Sequence, residues 1–199
     1  ALLWLPATRP WALAPLAAAW AWGWADGLID PVALAAPALL LLAAAWVRPA
    51  SGATARAAGH ALFLALAAAL FLHLLPGFHN PQVIAPAPLS PGAVPFGMYL
   101  NLDKPLVAFW VVLALAPPMA GANARNTVAA ASLALAAAML ACLGVALALG
   151  VVSWAPKWPD TGWIWLINNA LLVTLAEEAL FRGYVQQQLA TRWQRHAWG

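Results

Sequence analysis

Long apolar runs separated by short polar breaks constrain this chain more than any other feature of its sequence. Six runs stand out, with approximate bounds at residues 11–25, 31–47, 57–75, 105–119, 127–152 and 162–190. One membrane-spanning helix needs about 20 apolar residues. Only 8% of the residues are charged, whereas about 25% is typical of a soluble domain. We therefore predict an all-α polytopic transmembrane bundle with about six spanning helices, in a single membrane domain over residues 1–199.

The charged residues in the polar breaks predict how the helices are oriented. Breaks with basic residues alternate along the chain with breaks that are acidic or neutral. The positive-inside rule assigns to the cytoplasm Arg9, Arg48, Arg56, Arg125, Arg192 and Arg195. It assigns to the external side the four aspartates Asp26, Asp30, Asp103 and Asp160. Both ends of the chain are predicted to be cytoplasmic, which agrees with an even number of spans.

Two further features limit the partners and the covalent chemistry of the chain. Its basic residues are scattered singly, which argues against a nucleic-acid-binding patch despite a formal charge of +3. It has a single cysteine, Cys142, which excludes an intrachain disulfide. Because Cys142 lies within an apolar run, we predict that it is a small packing residue. We therefore expect membrane lipid, and no nucleic acid, among its partners.

One connection, residues 76–104, is long and contains six prolines. Proline fixes its backbone φ angle and lacks an amide donor, so this density of prolines excludes a helix. We predict an external, irregular loop that acts as a connector. The alternative is a re-entrant or lid segment over a functional site.

The last apolar run carries three ionisable residues, Glu177, Glu178 and Arg182, within six positions. With a helix capped by Asp160 or Thr161, Glu177 lies roughly 24 Å along the axis and therefore at membrane depth. A charge there costs about 2.5 to 3.5 kcal/mol, so such a residue usually faces the bundle interior or an aqueous cavity. Glu178 and Arg182 have the spacing and order of a favourable helical ion pair. Glu177 has no basic residue three or four positions away and needs a partner elsewhere.

Physical reasoning leaves three interpretations of this stretch open. The ion pair can be structural and orient helices beside a wet crevice. The uncompensated Glu177 can belong to a proton or ion pathway, although the first five runs contain no clear interior carboxylate to continue one. It can also be catalytic, because a carboxylate in a cavity can take a proton from water or bind a metal.

The sequence EEALFR at residues 177–182, followed by GYVQQQL, resembles the Glu-Glu-x-x-x-Arg motif of the CPBP intramembrane metalloproteases. This family includes CAAX prenyl endopeptidases and bacterial Abi-type immunity proteins, and the MYLNLDK segment is also similar to bacterial members. The resemblance implies an endopeptidase of the bacterial cytoplasmic membrane that hydrolyses a peptide or protein substrate near the cytoplasmic face. Glu177 would then activate the attacking water, Glu178 would be its companion, and Arg182 would support the site electrostatically.

The two further motifs of the family, Phe-x-x-x-His and His-x-x-x-Asn or Asp, do not occur in this sequence. The histidines are therefore expected to be interface or packing residues: His60, His73, His79 and His196. We expect the chain to be the N-terminal part of a longer enzyme and to be inactive by itself. Histidines beyond residue 199 would hold a divalent metal of the zinc type. The alternatives are a non-catalytic membrane immunity or scaffold protein, and a transporter that uses Glu177.

Overall fold

The computed structural model describes residues 11–115 and 124–197. Within them, the helices fall into six segments, at the positions that the apolar runs predicted. The first five are α1 (Leu13–Ala25), α2 (Ala35–Trp46), α3 (Ala53–Phe71), α4 (Pro105–Trp110) and α5 (Ala124–Ala148). A 3-10 turn, Pro31–Leu34, leads into α2, and a π-helical turn, Val111–Leu115, extends α4. Arg9 lies outside the described residues. The description also leaves out the side chains of Arg125, Arg195 and His196.

The sixth segment is one continuous helix with two wider, π-helical stretches. It comprises α6 (Gly162–Ile167), a π stretch (Asn168–Val173), α7 (Thr174–Glu178), a second π stretch (Ala179–Gln186) and α8 (Gln187–Ala197). The uniform α-helical spacing predicted for this run is therefore wrong in the two π stretches. Such stretches are rare and frequently occur at functional sites.

The predicted cap of this helix is also wrong. Thr161 occupies the N-cap position, but its side chain makes no capping hydrogen bond. Instead, the amide of Gly162 donates to the carbonyl of Pro159, at 2.8 Å. A backbone turn thus satisfies one of the free amides that a capping side chain usually binds.

Three helices are long and apolar enough to cross a membrane, namely Ala53–Phe71, Val128–Ala148 and Gly162–Trp193. The apolar helices Pro31–Trp46 and Pro105–Leu115 are shorter, and α1 has 13 residues. These lengths confirm an all-α membrane bundle. Six spans remain a prediction, because a helix of 13 residues is only about 20 Å long and the hydrocarbon core of a bilayer is about 30 Å thick.

The core lies where α2, α3 and α4 pack together. On α3, the buried apolar side chains recur at the helical period and are those of Phe63, Leu66, Ala67 and Leu70. Gly59 lets α3 approach α2 closely, since an added Cβ would lie 2.8 Å from Cβ of Trp46 and 3.1 Å from the carbonyl oxygen of Ala43. Close approach at small residues is how membrane helices gain packing energy where lipid provides no hydrophobic drive.

The proline-rich connection is more regular than predicted. Within it, β1 (Gln82–Pro88) and β2 (Pro95–Tyr99) form an antiparallel hairpin, with shifts in register on both sides of Ile84. A two-stranded hairpin leaves one edge of each strand without a strand partner, so prolines at positions 86 and 88 are tolerated. The prediction of an irregular loop is therefore wrong for these strands, because proline excludes a helix but permits an edge strand.

Opposite charges gather at the two ends of α3. Arg56 lies in its first turn and contacts the carbonyl of Ser51, at 2.8 Å. Beyond its other end, His73 Nδ1 lies 2.7 Å from Asp103 Oδ2. The two ends of α3 are roughly 28 Å apart for a helix of this length. His79 brings Asp30 to the same end, with Nε2 and Oδ2 2.9 Å apart. This separation follows the alternation of basic and acidic breaks in the sequence.

Helix α5 stands apart from the rest of the bundle. None of its candidate span, Val128–Ala148, is buried against other described residues. Cys142 is accordingly exposed. The prediction that Cys142 is a packing residue is therefore wrong within the described bundle, because no other helix covers this face of α5.

Candidate active site on the last helix

The ion pair predicted on the last helix is present. Arg182 Nε lies 2.6 Å from Glu178 Oε2. Glu178 ends α7 and Arg182 lies in the π stretch that follows, so the long arginine side chain reaches back across about one turn. The side chain of Arg182 is 75% exposed, and that of Glu178 is 46% exposed. The pair therefore lies on the surface of the described bundle.

Glu177 has no comparable partner. Among the side chains that the structure describes, no Lys, Arg or His lies within salt-bridge distance of its carboxylate. The residue is exposed. Of two adjacent carboxylates, one is thus held by a guanidinium group and the other keeps its lone pairs available.

The packing of the helix determines where these carboxylates point. Ala176 and Ala179 are fully buried against the core of α2, α3 and α4. Since successive residues of a helix are about 100° apart, this leaves Glu177 and Glu178 off the core face. Neither carboxylate lines any of three clefts between the described elements. The wet cavity predicted around Glu177 thus remains a prediction.

Sequence reasoning missed the contacts that hold this helix in place. Tyr184 is 4% exposed, and its hydroxyl lies 2.9 Å from Nδ1 of His60 on α3. Its ring packs edge-on against Phe63, with centroids 4.8 Å apart, and Phe63 stacks on Trp110 at 3.7 Å. The only hint in the sequence was the position of Tyr184, two residues after Arg182. Nothing in the spacing identifies His60 as its partner.

A bound metal does not fit the described residues by themselves. They contain no group of three His, Cys, Asp or Glu side chains that could hold one, whereas a zinc site takes three or four protein ligands. Glu177 and Glu178 offer carboxylates from one helix only. The histidine that packs against this helix, His60, is bonded to Tyr184 instead. We therefore derive no catalytic step through a metal.

Comparison with known proteins locates the family signal on this same helix. Residues 158–199 match the family described as type II CAAX prenyl endopeptidase Rce1-like. The matched segment includes Glu177, Glu178 and Arg182. No curated protein and no solved structure matches the chain. Residues 158–199 are thus similar to the Rce1-like CAAX prenyl endopeptidases, the resemblance that the EEALFR motif predicted.

Proposed function

We propose that this protein is a membrane endopeptidase of the CAAX-protease class in which Glu177 activates the attacking water. One observation carries the proposal: Glu178 is paired with Arg182 at 2.6 Å, while Glu177 has no cationic partner among the described side chains. An unpaired carboxylate can accept a proton from water as a general base. The paired Glu178 and Arg182 would fix the local charge and help to stabilise the negative charge that develops in the transition state.

The depth of these residues supports the same assignment. Glu177 lies in the middle of a candidate span, Gly162–Trp193, where facing lipid would cost about 2.5 to 3.5 kcal/mol. The helix face that carries both carboxylates and Arg182 therefore requires water or polar protein groups rather than acyl chains. A hydrolase needs such a hydrated face, because water is its second substrate.

We propose that cleavage occurs near the cytoplasmic face of a bacterial cytoplasmic membrane. The positive-inside rule supports this orientation, since Arg56 and Arg192 both lie near His60 at the end opposite the Asp30 and Asp103 contacts. We further propose that a divalent metal takes part, held by ligands beyond those that the described residues supply. Removal of divalent metals with a chelator should then abolish cleavage, and re-addition of zinc should restore it.

The test is peptide cleavage by the intact protein made from its native gene and reconstituted in liposomes. The substrate is a farnesylated reporter peptide ending in a CAAX sequence, with its unprenylated form as a second substrate. Glu177→Gln should abolish cleavage without lowering the thermal midpoint, because it removes the base and keeps the shape. Gln187→Glu, at the exposed start of α8, is the isosteric control and should retain activity.

The same assay separates the rival functions. Cleavage at the wild-type rate by Glu177→Gln would exclude this residue as the base. No cleavage by the wild type, together with binding of a protein partner that survives Glu177→Ala, would favour an immunity or scaffold protein. A pH-dependent cation flux that Glu177→Gln abolishes would favour a transporter.

A further inference from the structure

A second polar site lies at the end of the bundle that carries the Asp30 and Asp103 contacts. A cleft of about 560 Å³ opens there between β2 and the first part of the last helix. Four aromatic side chains and four asparagines line it, together with His73. Trp165 and Asn168 belong to the beginning of a candidate span, and His73 directly follows the C-cap of another. The cleft therefore lies near the membrane boundary, at the depth of lipid headgroups.

Asn168 provides the strongest sign that this cleft binds something. It is 3% exposed, and its Oδ1 atom has no hydrogen-bond partner among the described residues. Its Nδ2 donates to Sδ of Met98, at 3.3 Å. A buried polar atom without a partner costs free energy, and native proteins leave few of them. A donor from outside the described residues would satisfy this oxygen.

His73 adds a second acceptor, and its backbone is held in an unusual conformation to do so. Its φ angle is 56°, the left-handed region that glycine normally occupies after a helix. The Nδ1 atom lies 2.7 Å from the carboxylate of Asp103, which is only 1% exposed. The carboxylate accepts the Nδ1 proton, so in the neutral ring Nε2 is left with a lone pair. Strain of this kind is typical of functional positions.

Two of the other asparagine amides that line the cleft are already engaged. Nδ2 of Asn169 donates to the carbonyl of Trp165, at 2.8 Å. Nδ2 of Asn80 lies 3.1 Å from Nδ1 of His73 and donates to Oδ1 of Asp103, at 3.5 Å. Its Oδ1 accepts from the amide of Leu102, at 2.8 Å. The capacity that remains at Asn168, Asn169 and His73 is therefore for accepting hydrogen bonds.

We infer that this cleft binds a primary ammonium group, of the kind carried by an ethanolamine phospholipid headgroup. An ammonium group supplies three N–H donors for the acceptors of Asn168, Asn169 and His73. The aromatic side chains that line the cleft favour a cation through their ring faces. Met98 covers the amide of Asn168, and its flexible thioether can turn aside when the ligand enters. This site lies at the opposite end of the bundle from Arg56 and is independent of the proposed proteolysis.

Native mass spectrometry of the full chain tests this inference. The protein is released from mixed micelles that contain phosphatidylethanolamine and phosphatidylcholine with identical acyl chains. The choline headgroup keeps the positive charge but has no N–H donor, so it is the matched ligand control. We expect the ethanolamine lipid to be retained about tenfold more, the effect of one hydrogen bond to a charged group.

Variants attribute the preference to the cleft. Asn168→Leu should abolish it, while Asn168→Asp, which keeps an acceptor and adds a negative charge, should maintain or raise it. Asn126→Leu, on the exposed surface of α5, is the control and should leave it unchanged. If Asn168→Leu fails to fold, the wild type and Asn168→Asp still carry the test.

Competition by glycerophosphoethanolamine distinguishes the two sources of the amine. If this soluble headgroup displaces the lipid, the ammonium chemistry alone is sufficient for binding; if it does not, the site is specific for the membrane lipid, and both results support the inference. Equal retention of the two lipids by the wild type would overturn it. A tenfold preference that Asn168→Leu does not change would overturn it as well.

Discussion

The hydroxyl of Tyr184 lies 2.9 Å from Nδ1 of His60, although the two residues are 124 positions apart. The contact joins the last helix to α3 only two positions after Arg182. The stacked rings of Phe63 and Trp110 lie beside it, in the most buried part of the bundle. The candidate catalytic helix is thus positioned by side chains that are not part of its motif.

A double-mutant cycle should detect this contact. We expect Tyr184→Phe and His60→Leu to couple by about 0.5 to 1.5 kcal/mol in the free energy of unfolding, the usual contribution of one hydrogen bond. Chemical unfolding in detergent, followed by circular dichroism, provides the measurement. Tyr99→Phe, at a 52% exposed tyrosine, should change little. If the effects of the two substitutions on the free energy of unfolding were strictly additive, the hydrogen bond would contribute nothing to stability.

The charge pair predicts a rescue experiment. Arg182→Ala should lower the thermal midpoint, because it leaves Glu178 charged and without its cation at membrane depth. Adding Glu178→Gln should restore part of the loss, since no charge is then left uncompensated. Peptide cleavage should remain low in both variants if Arg182 supports the chemistry. A midpoint unaffected by Arg182→Ala would contradict this prediction and would mean that water compensates the charge of Glu178 fully.

The left-handed backbone of His73 predicts that a glycine variant is more stable than an alanine variant, the reverse of the usual order. His73→Gly should be more stable than His73→Ala by about 0.4 to 1 kcal/mol, because glycine adopts this φ without strain and alanine does not. Both should be less stable than the wild type, since the buried Asp103 loses its partner. His73→Asn should come closest, because asparagine tolerates this conformation and can donate to the carboxylate. An alanine variant as stable as the glycine variant would exclude strain at this position.

Two glycine substitutions test the packing of α3 against α2. Gly59→Ala should destabilise the bundle by about 1 to 3 kcal/mol, because the new methyl group would overlap Trp46 and the backbone at Ala43. Gly144→Ala is the matched control, since its new methyl group would meet no described atom within 4 Å apart from its own stretch of helix, and α5 gains helix propensity. The comparison uses thermal unfolding in one detergent. Equal thermal midpoints of the two variants would mean that α2 and α3 can move apart without loss of stability.

The sequence by itself determined the helical class, the positions of the six helical segments and the pairing of Glu178 with Arg182. These properties depend on local composition and on helical spacing, which act over a few residues. The separation of basic and acidic ends was also predictable, because each polar break of the sequence contains its own charged residues. The EEALFR motif was sufficient to indicate the family that residues 158–199 match.

Only the tertiary structure decided which side chains meet across the bundle. The contacts of His60 with Tyr184 and of His73 with Asp103 join residues 124 and 30 positions apart, and no local period specifies such a pair. The hairpin between Gln82 and Tyr99 likewise depends on pairing between two strands rather than on the prolines within them. The unpartnered oxygen of Asn168 became visible only when packing had removed it from solvent. Burial and long-range contact arise from the folded chain as a whole, which is why sequence patterns could not reveal them.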